Sequence, residues 1–577
     1  MRLKYLIEEC VPCELEEEAV TKPHSRIITH KVVQAAKEAG GGNFGACVVY
    51  CLLVNKRWFK AQAALEIWDA DLHQVRAVAA EMIAKHLIEE EEDLDYLIGS
   101  VLLKRYATIV DGEQTAIANV IEKAVDLHAL RVIGSSGYQK TVHYLWKGWL
   151  VQDDSDATKF VDYREKANTS YWIHLDPNRM RAPVYQNATK VIFSLVYLAL
   201  YTGAINTVNP TGDLDIVEIV LYIFTFGFLC DEFAKFWKVG RYYIGFWNVF
   251  NVVLYGFLTT SLVLRFIALS HPLDDDDGQR EKYNELSYNF LAFSAPMFWM
   301  RLLLFLDTFR FFGAMLVVLK VMMKESLIFF ALLVVVIIGF LQAFIGMDNV
   351  DDDNGKATVF ILQSMANALM QSPDFSGFDA FAPPFGIILY YVFTFVVMVI
   401  LLNILIALYN SAYEDVTGNS LDEYMALFAE KTMQYVRAPD ENVFIPPLNL
   451  VEVFCLILPF EWWMSKKTYA RLNDYVMGFL YSPLLLVAAL VEVRTAREVS
   501  SNRRRGEIDE DTVEEWEQMG DQVDFEAEGW SKKVDGVKSN VEDDAATLEV
   551  RQLRGEMKEL KEMLQTLVKT KEQNGSS

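Results

Sequence analysis

Asn403 interrupts one of the most apolar runs of this 577-residue chain, VILLNILIALYN, residues 399–410. A buried amide costs about 1–3 kcal/mol unless it finds hydrogen-bond partners, so the run predicts that Asn403 faces protein or water rather than lipid. Just upstream, ATVFILQSMANALMQSPDFSGFDAFAPPFG (357–386) reads as a short apolar helix, an acidic loop and a Pro-Pro pair. A helix too short to span, a polar loop and then a spanning helix describe a re-entrant pore. Irregular backbone at bilayer depth is tolerated only where protein buries it or water lines it. The filter then falls after the short helix, at Gln371, Ser372 and Asp374. A ring of Asp374 carboxylates would favour cations, with Asp379 the next candidate. In the competing reading Asp374 caps a turn beside Pro373 and backbone carbonyls do the selecting.

Two further acidic clusters could bind calcium: Asp274, Asp275, Asp276 and Asp277, and Asp348 with Asp351, Asp352 and Asp353. Carboxylate oxygens are the ligands calcium prefers. The loop DNVDDDNGKATVF is no EF-hand, because placing Gly355 at the invariant glycine puts Val350 at the first ligand and Ile361 at the last. Cys10, Cys13, Cys47 and Cys51 could be arranged around zinc, but the second pair sits in FGACVVYCLLV, where small thiols pack as apolar groups. No zinc site, disulfide framework or covalent cofactor is expected. Neither a nucleophile–base pair nor a phosphate loop is present, so an enzyme is not expected. The formal charge of −25 argues against nucleic acid and suits a protein that attracts cations.

The elements that must position these residues are helical. Six apolar segments, roughly 184–205, 217–236, 246–269, 290–306, 327–345 and 387–408, approach the ~20 residues a spanning helix needs. Basic residues orient them: Arg179 and Arg181, then Lys235, Lys238 and Arg241, then Lys320 and Lys324 mark cytosolic loops, and the opposite loops are acid-rich. The fourth segment has only Arg301 and Arg310, with Asp307 between them, too few arginines for a voltage sensor. Residues 1–182 read as a helical cytosolic domain. In it Val75, Val78, Ala79, Met82 and Ile83 mark one packed face, and more helices are expected around 93–107 and 113–132. The N-terminus lacks a signal-peptide core, and an even number of spans returns the C-terminus to the cytosol.

After the sixth segment comes a charged amphipathic helix. Two apolar pieces follow, LNLVEVFCLILPF and YVMGFLYSPLLLVAALV. The second is flanked by basic residues at both ends and interrupted by Pro483, so it reads as interfacial or re-entrant rather than as a seventh span. The chain is strongly acidic from 507 to 528, a solvated linker or a calcium-sensing tail. Ala546, Val550, Leu553, Met557, Leu560, Leu564 and Leu567 then alternate steps of four and three, the seam of a parallel coiled coil with Glu549–Arg554 and Glu556–Lys561 pairs between chains.

One helix and one loop cannot enclose a pore, so several chains must, and six spans with a re-entrant segment before the last is the tetrameric cation-channel plan. Over 184–436, and NILIALYN (403–410) above all, the chain resembles the transient receptor potential channels of the fungal vacuolar type. The resemblance implies an apolar gate at Ile406 with Asn410 one turn later. CDEFAKFW (230–237) and FWNVFN (246–251) resemble the melastatin branch's cytosolic-side calcium motifs, which implies Glu232, Asn248 and Asn251 as a calcium site. Lys235 and Asn251 depart from that pattern, where an amide and an aspartate are usual. The competing reading is a Glu232–Lys235 salt bridge with Asn248 as a helix–helix contact. The resemblance also raises Arg179, Arg181, Lys320 and Lys324 as contacts for a phosphoinositide.

The expectation is therefore an all-α membrane protein. Its parts are a cytosolic domain (1–182), a four-helix sensor-like domain (183–315), a pore domain (316–412), a post-pore helix (413–440), membrane-associated C-terminal helices (441–506), an acidic linker (507–540) and a coiled coil (541–570). Its function would be that of a homotetrameric, non-selective, calcium-permeable channel of the vacuolar membrane, with both termini cytosolic and modulation by calcium and phosphoinositide. The alternatives are a secondary transporter or a non-conducting scaffold.

Overall fold

The computed structural model describes residues 1–22, 25–110, 113–115, 117–153, 159–206, 214–239, 246–272, 278–303, 305–306, 310–347, 354–378, 382–437, 444–461, 463–506, 509–510 and 529–537, with Leu553, Arg554, Met557 and Lys561. The chain divides into two compact units. One comprises Met1–Asp93, Lys166–Thr169 and Arg494–Ser577; the other comprises Leu94–Glu165 and Ser170–Val493.

In the first unit, helices Val48–Leu65 and Ala70–Glu89 pack along their length. Of the expected packed face, Val75, Ala79, Met82 and Ile83 are buried and Val78 is half-buried at its edge, and Lys56 pairs with Glu81 inside the unit. In the left-handed region, at φ +58°, Gly41 separates helix His30–Ala39 from the short turn Gly41–Phe44.

The second unit begins with the helical segment Leu94–Leu102, but the helix expected from 113 starts only at Val120. Before it, Ile109–Val110 pairs antiparallel with Glu113–Gln114 across Asp111-Gly112. Thr108, Ile109, Val110 and Thr115 are β-branched, and Asp-Gly between such residues is a hairpin signal. The helix then opens with a capping box, Asn119 and Glu122 each accepting from the other's backbone N–H. A second hairpin joins Leu150–Gln152 to Phe160–Asp162. The fold is thus mostly helical rather than strictly all-α.

Among the described residues, four helices are long and apolar enough to cross a membrane: Pro183–Asn206, Asn248–Ser270, Phe329–Met347 and Phe385–Glu414. A further pair, Arg471–Leu480 and Ser482–Arg505, is bent by 85°. Two expected spans differ from the rest. Helix Ile216–Val239 is long, but carries Glu218 near one end and Asp231, Glu232 and Lys235 near the other. The fourth is broken at Ser294 into Gln279–Phe293 and Ala295–Leu303, where Pro296 lies at the second position of the new helix, the place that tolerates a missing N–H. Together the first three helices and this broken pair make a bundle around Tyr197, Tyr201, Phe224, Phe228, Tyr255 and Phe298. The half of the second unit that follows the bundle starts with the 38-residue helix Arg310–Met347.

Candidate functional site

The short helix Asn354–Leu369 is held by its apolar face. Ile361, Met365 and Ala368 are buried with Phe344, Phe378, Tyr390 and Phe393. The Phe378 and Tyr390 rings stack at 4.1 Å between centroids, and the Tyr390 hydroxyl donates to the Ser364 carbonyl at 2.8 Å. The helix stops at Gln371, whose φ of +62° is the left-handed conformation that glycine usually supplies at a helix end. Ser372 N–H closes the turn on the Asn367 carbonyl at 2.9 Å.

Gln371, Ser372 and Asp374 are all exposed on one side of this support. Asp374 Oδ1 accepts from the Ser376 N–H (2.9 Å) and hydroxyl (2.6 Å), an Asx turn. The turn predicted as the competing reading is therefore present, and it fixes a carboxylate that still faces outward. Asp379 lies outside the described residues.

The following helix runs Phe385–Phe395, a π-helical stretch Val396–Leu401, then Leu402–Gly418. Leu401, Leu405 and Tyr409 recur every four residues on its inner side: Leu401 is buried, Leu405 packs against the core, and the Tyr409 hydroxyl accepts from Ser326 at 2.7 Å. Asn403, Ile406 and Asn410, spaced three and four apart, share another face and are exposed. Asn403 donates back to the Val399 carbonyl at 2.6 Å.

In the bundle, Asn251 Nδ2 donates to Glu232 at 3.1 Å, bringing two of the three expected calcium residues together. Asn248 lies half-buried one helical turn before Asn251. Lys235 pairs with Asp231 at 2.6 Å rather than with Glu232, since four residues' separation is the better ion-pair spacing on a helix. Asn251 Oδ1 is buried without a hydrogen-bond partner. An orphan oxygen beside a carboxylate fits a hard cation, although one carboxylate and two amides make a weak set.

Of the proposed lipid contacts, Arg179 must be withdrawn. Its guanidinium is buried, bonded to Glu492 (3.1 Å from Nε) and to the Gly148 carbonyl (2.8 Å), and it lies over the Tyr163 ring. A headgroup cannot reach a cation that the chain already encloses. Arg181 is half-exposed, 3.4 Å from Asp474, and Lys320 is exposed; the Lys324 side chain lies outside the described residues. So do Asp274, Asp275, Asp276 and Asp277, Asp348, Asp351, Asp352 and Asp353, and the coiled-coil seam apart from Leu553 and Met557.

Two features escaped sequence reasoning. Arg265, fully buried, donates to Glu218 at 3.1 Å and to Asn284. Arg301 is enclosed by Phe228, Tyr255 and Tyr197, its guanidinium carbon 4.2, 5.5 and 5.7 Å from the ring centroids. The signal for the first was legible: one arginine and one glutamate alone in apolar helices must find each other.

This architecture has relatives. Residues 193–493 match the family described as "Calcium channel YVC1-like, C-terminal", and residues 1–175 match the TRPY1 N-terminal linker helical domain. Calcium channel YVC1 of Candida albicans is 42% identical over 520 residues, 88% of this chain and 76% of that protein. The chain belongs to the YVC1 family of calcium channels. Calcium channel YVC1 of Saccharomyces cerevisiae is 40% identical over the same shares. A solved structure of full-length TRPY1 in detergent, with PI3P and calcium bound, is similar at a TM-score of 0.73 and 35% identity, covering 89% of this chain and 90% of that one.

Proposed function

We propose that four copies of this chain form a non-selective, calcium-permeable cation channel that releases calcium from an acidic store such as the vacuole. Six spans would place both termini in the cytosol, the broken fourth helix and the charged second one completing the bundle. The observation that carries the reading is the exposed face of the sixth helix. Asn403, Ile406 and Asn410 are exposed among the described residues, while the opposite side of that helix is packed. Four such faces around an axis would give an apolar constriction at Ile406 that closes by dewetting, and Gln371, Ser372 and Asp374 would meet at the non-cytosolic mouth.

Calcium would be permeant ion and regulator, held from the cytosolic side by Glu232, Asn248 and Asn251 and from the other by Asp274 to Asp277 and Asp348 to Asp353. Arg181, Lys320 and Lys324 remain for a phosphoinositide, the lipid class that PI3P represents in the TRPY1 structure. The coiled coil would help hold the tetramer. The test is single-channel recording from purified protein in a bilayer, with calcium defined on each face, with and without phosphoinositide. Cation current that calcium modulates supports the reading; a silent bilayer containing folded tetramer leaves a scaffold.

A further inference from the structure

The C-terminal segment after the post-pore helix returns to the bundle, and where it touches gives its depth. Asn449 Nδ2 donates at 2.8 Å to the main-chain carbonyl of Gly227, midway along Ile216–Val239. A Cβ on Gly227 would lie 3.0 Å from Pro447 Cα, so the segment seats directly on helix backbone. One position back, Phe226 stacks on Phe454 with centroids 6.5 Å apart. Leu456 is buried in a cluster against which Phe193 of the first helix packs.

Gly227 precedes Asp231, the first charged residue on the cytosolic side, by four residues and Lys235 by eight, and Phe193 lies ten residues past Pro183. At 1.5 Å per residue these rulers put the contact about 6–15 Å inside the spans, within the cytosolic half of a ~30 Å hydrocarbon layer. A small residue admitting close approach, with an amide bonding across, is how helices pack where no water competes.

We infer that residues 444–461 re-enter the cytosolic leaflet and present Phe454 and Cys455 to lipid acyl chains. The inference rests on the spanning reading of the bundle helices given above. The segment is built for that depth. Pro446 and Pro447 have no N–H to satisfy, Leu448 and Leu450 donate to the Ile445 and Pro447 carbonyls, and Glu452–Glu461 is π-helical. Phe454 is 52% exposed beside Phe226, itself 47% exposed, and on the same helix Ile223, three residues before Phe226, is 47% exposed. Where the segment leaves, Trp462 and Trp463 precede Lys466 and Lys467, the aromatic and basic order of a bilayer surface.

Cys455 and Cys13 are both exposed, which supplies the probe and its control. Full-length chains retaining one of these cysteines, the others replaced by serine, are labelled with bimane in detergent. They are then reconstituted into phosphatidylcholine vesicles with or without a nitroxide on the acyl chain. The label at Cys455 should be quenched several-fold more by the acyl-chain nitroxide than by aqueous iodide, and the label at Cys13 the reverse. Iodide quenching at Cys455 equal to that at Cys13 overturns the inference, and so does protection from both quenchers, which would mean a protein contact. Gly227→Val should unseat the segment and give the Cys455 label to iodide; unchanged lipid quenching in that variant overturns the seating on Gly227. If Gly227→Val does not fold, the single-cysteine chains decide alone. Current is recorded from the same vesicles: current without lipid quenching removes only this inference, and lipid quenching without current removes only the conducting reading.

Discussion

The four-helix bundle and the half from Arg310 to Gly418 put their polar side chains on opposite sides. In the bundle they are inside and mostly paired, with Ser194, Asn251 Oδ1 and the Tyr255 hydroxyl left without a partner among the described residues. Arg265 meets Glu218 and Asn284, Ser261 and Ser287 donate to each other's carbonyls, the Tyr197 hydroxyl meets Thr225, and Tyr201 donates to the Leu291 carbonyl. In the half from Arg310 to Gly418 the interior is almost wholly apolar and aromatic, and Gln371, Ser372, Asp374, Asn403 and Asn410 are exposed. A body that keeps its polar groups inside can stand beside lipid. One that turns them outward from apolar helices needs water or further protein to cover them, as the proposed tetramer would.

The comparison breaks most severely at Arg265. Arg265→Met strands Glu218, which is 3% exposed, and removing one member of a buried pair costs about 3–5 kcal/mol. Folded protein on size exclusion after mild heating should fall sharply. The double variant Arg265→Met/Glu218→Met should recover most of it, because a paired removal leaves no buried charge. A single variant as heat-resistant as wild type would mean that the pair does not hold the bundle.

On the sixth helix the same change should give two results on two faces. Ile406→Asn should wet the constriction and raise basal open probability several-fold in a bilayer at unchanged expression. Leu405→Asn buries an amide in the aromatic core and should lower expression instead. Equal effects at the two positions would remove the distinction between an inner and a pore face.

Asp374→Asn should do less. The Asx turn needs only an accepting oxygen, which asparagine supplies, so the loop should keep its shape while the ring loses charge. Unitary conductance and calcium permeability relative to potassium should fall on the order of twofold, more at low salt. If Asp379→Asn changes both and Asp374→Asn neither, the ring belongs to Asp379.

How much of this was legible follows the same division. Patterns read along one helix came through: the packed face of Val75, Ala79, Met82 and Ile83, and the short apolar helix that stops before the loop at 371–374. Pairings between distant segments did not. Arg179 reads as a topology signal, and nothing near it in the sequence announces Glu492, 313 residues on, as its partner. Lys235 had two acids in reach, and only geometry chose Asp231 over Glu232. The hairpin at 109–114 was missed because helical composition on both sides outweighed a short β-branched run.

The smallest expected effect is at the surface of the N-terminal unit, where an ion cluster is the counterpart of the buried Arg265 pair. Asp509 accepts from Arg503 Nε (2.6 Å) and Nη2 (2.9 Å) and lies 2.9 Å from Lys166 Nζ. The bonds from Arg503, with Lys166 adding to them, hold its carboxyl down at about 2, below the ordinary 3.8. A depressed carboxylate contributes stability in full above its unfolded value and loses it as pH falls toward 2, so the contribution is flat from pH 5 to 8. Arg503 is 46% exposed, so its pair with Asp509 is worth under about 1 kcal/mol, while Lys166 and Asp509, 10% and 16% exposed, are the more covered part of the cluster. Asp509→Asn should therefore lower the unfolding midpoint slightly at pH 7, equally at pH 5, and less in high salt. Arg265→Met should by contrast be nearly indifferent to salt, because ions cannot enter the bundle to screen a fully buried pair. A salt-sensitive Arg265→Met or a salt-blind Asp509→Asn would show that the two regions do not differ in the way their burial implies.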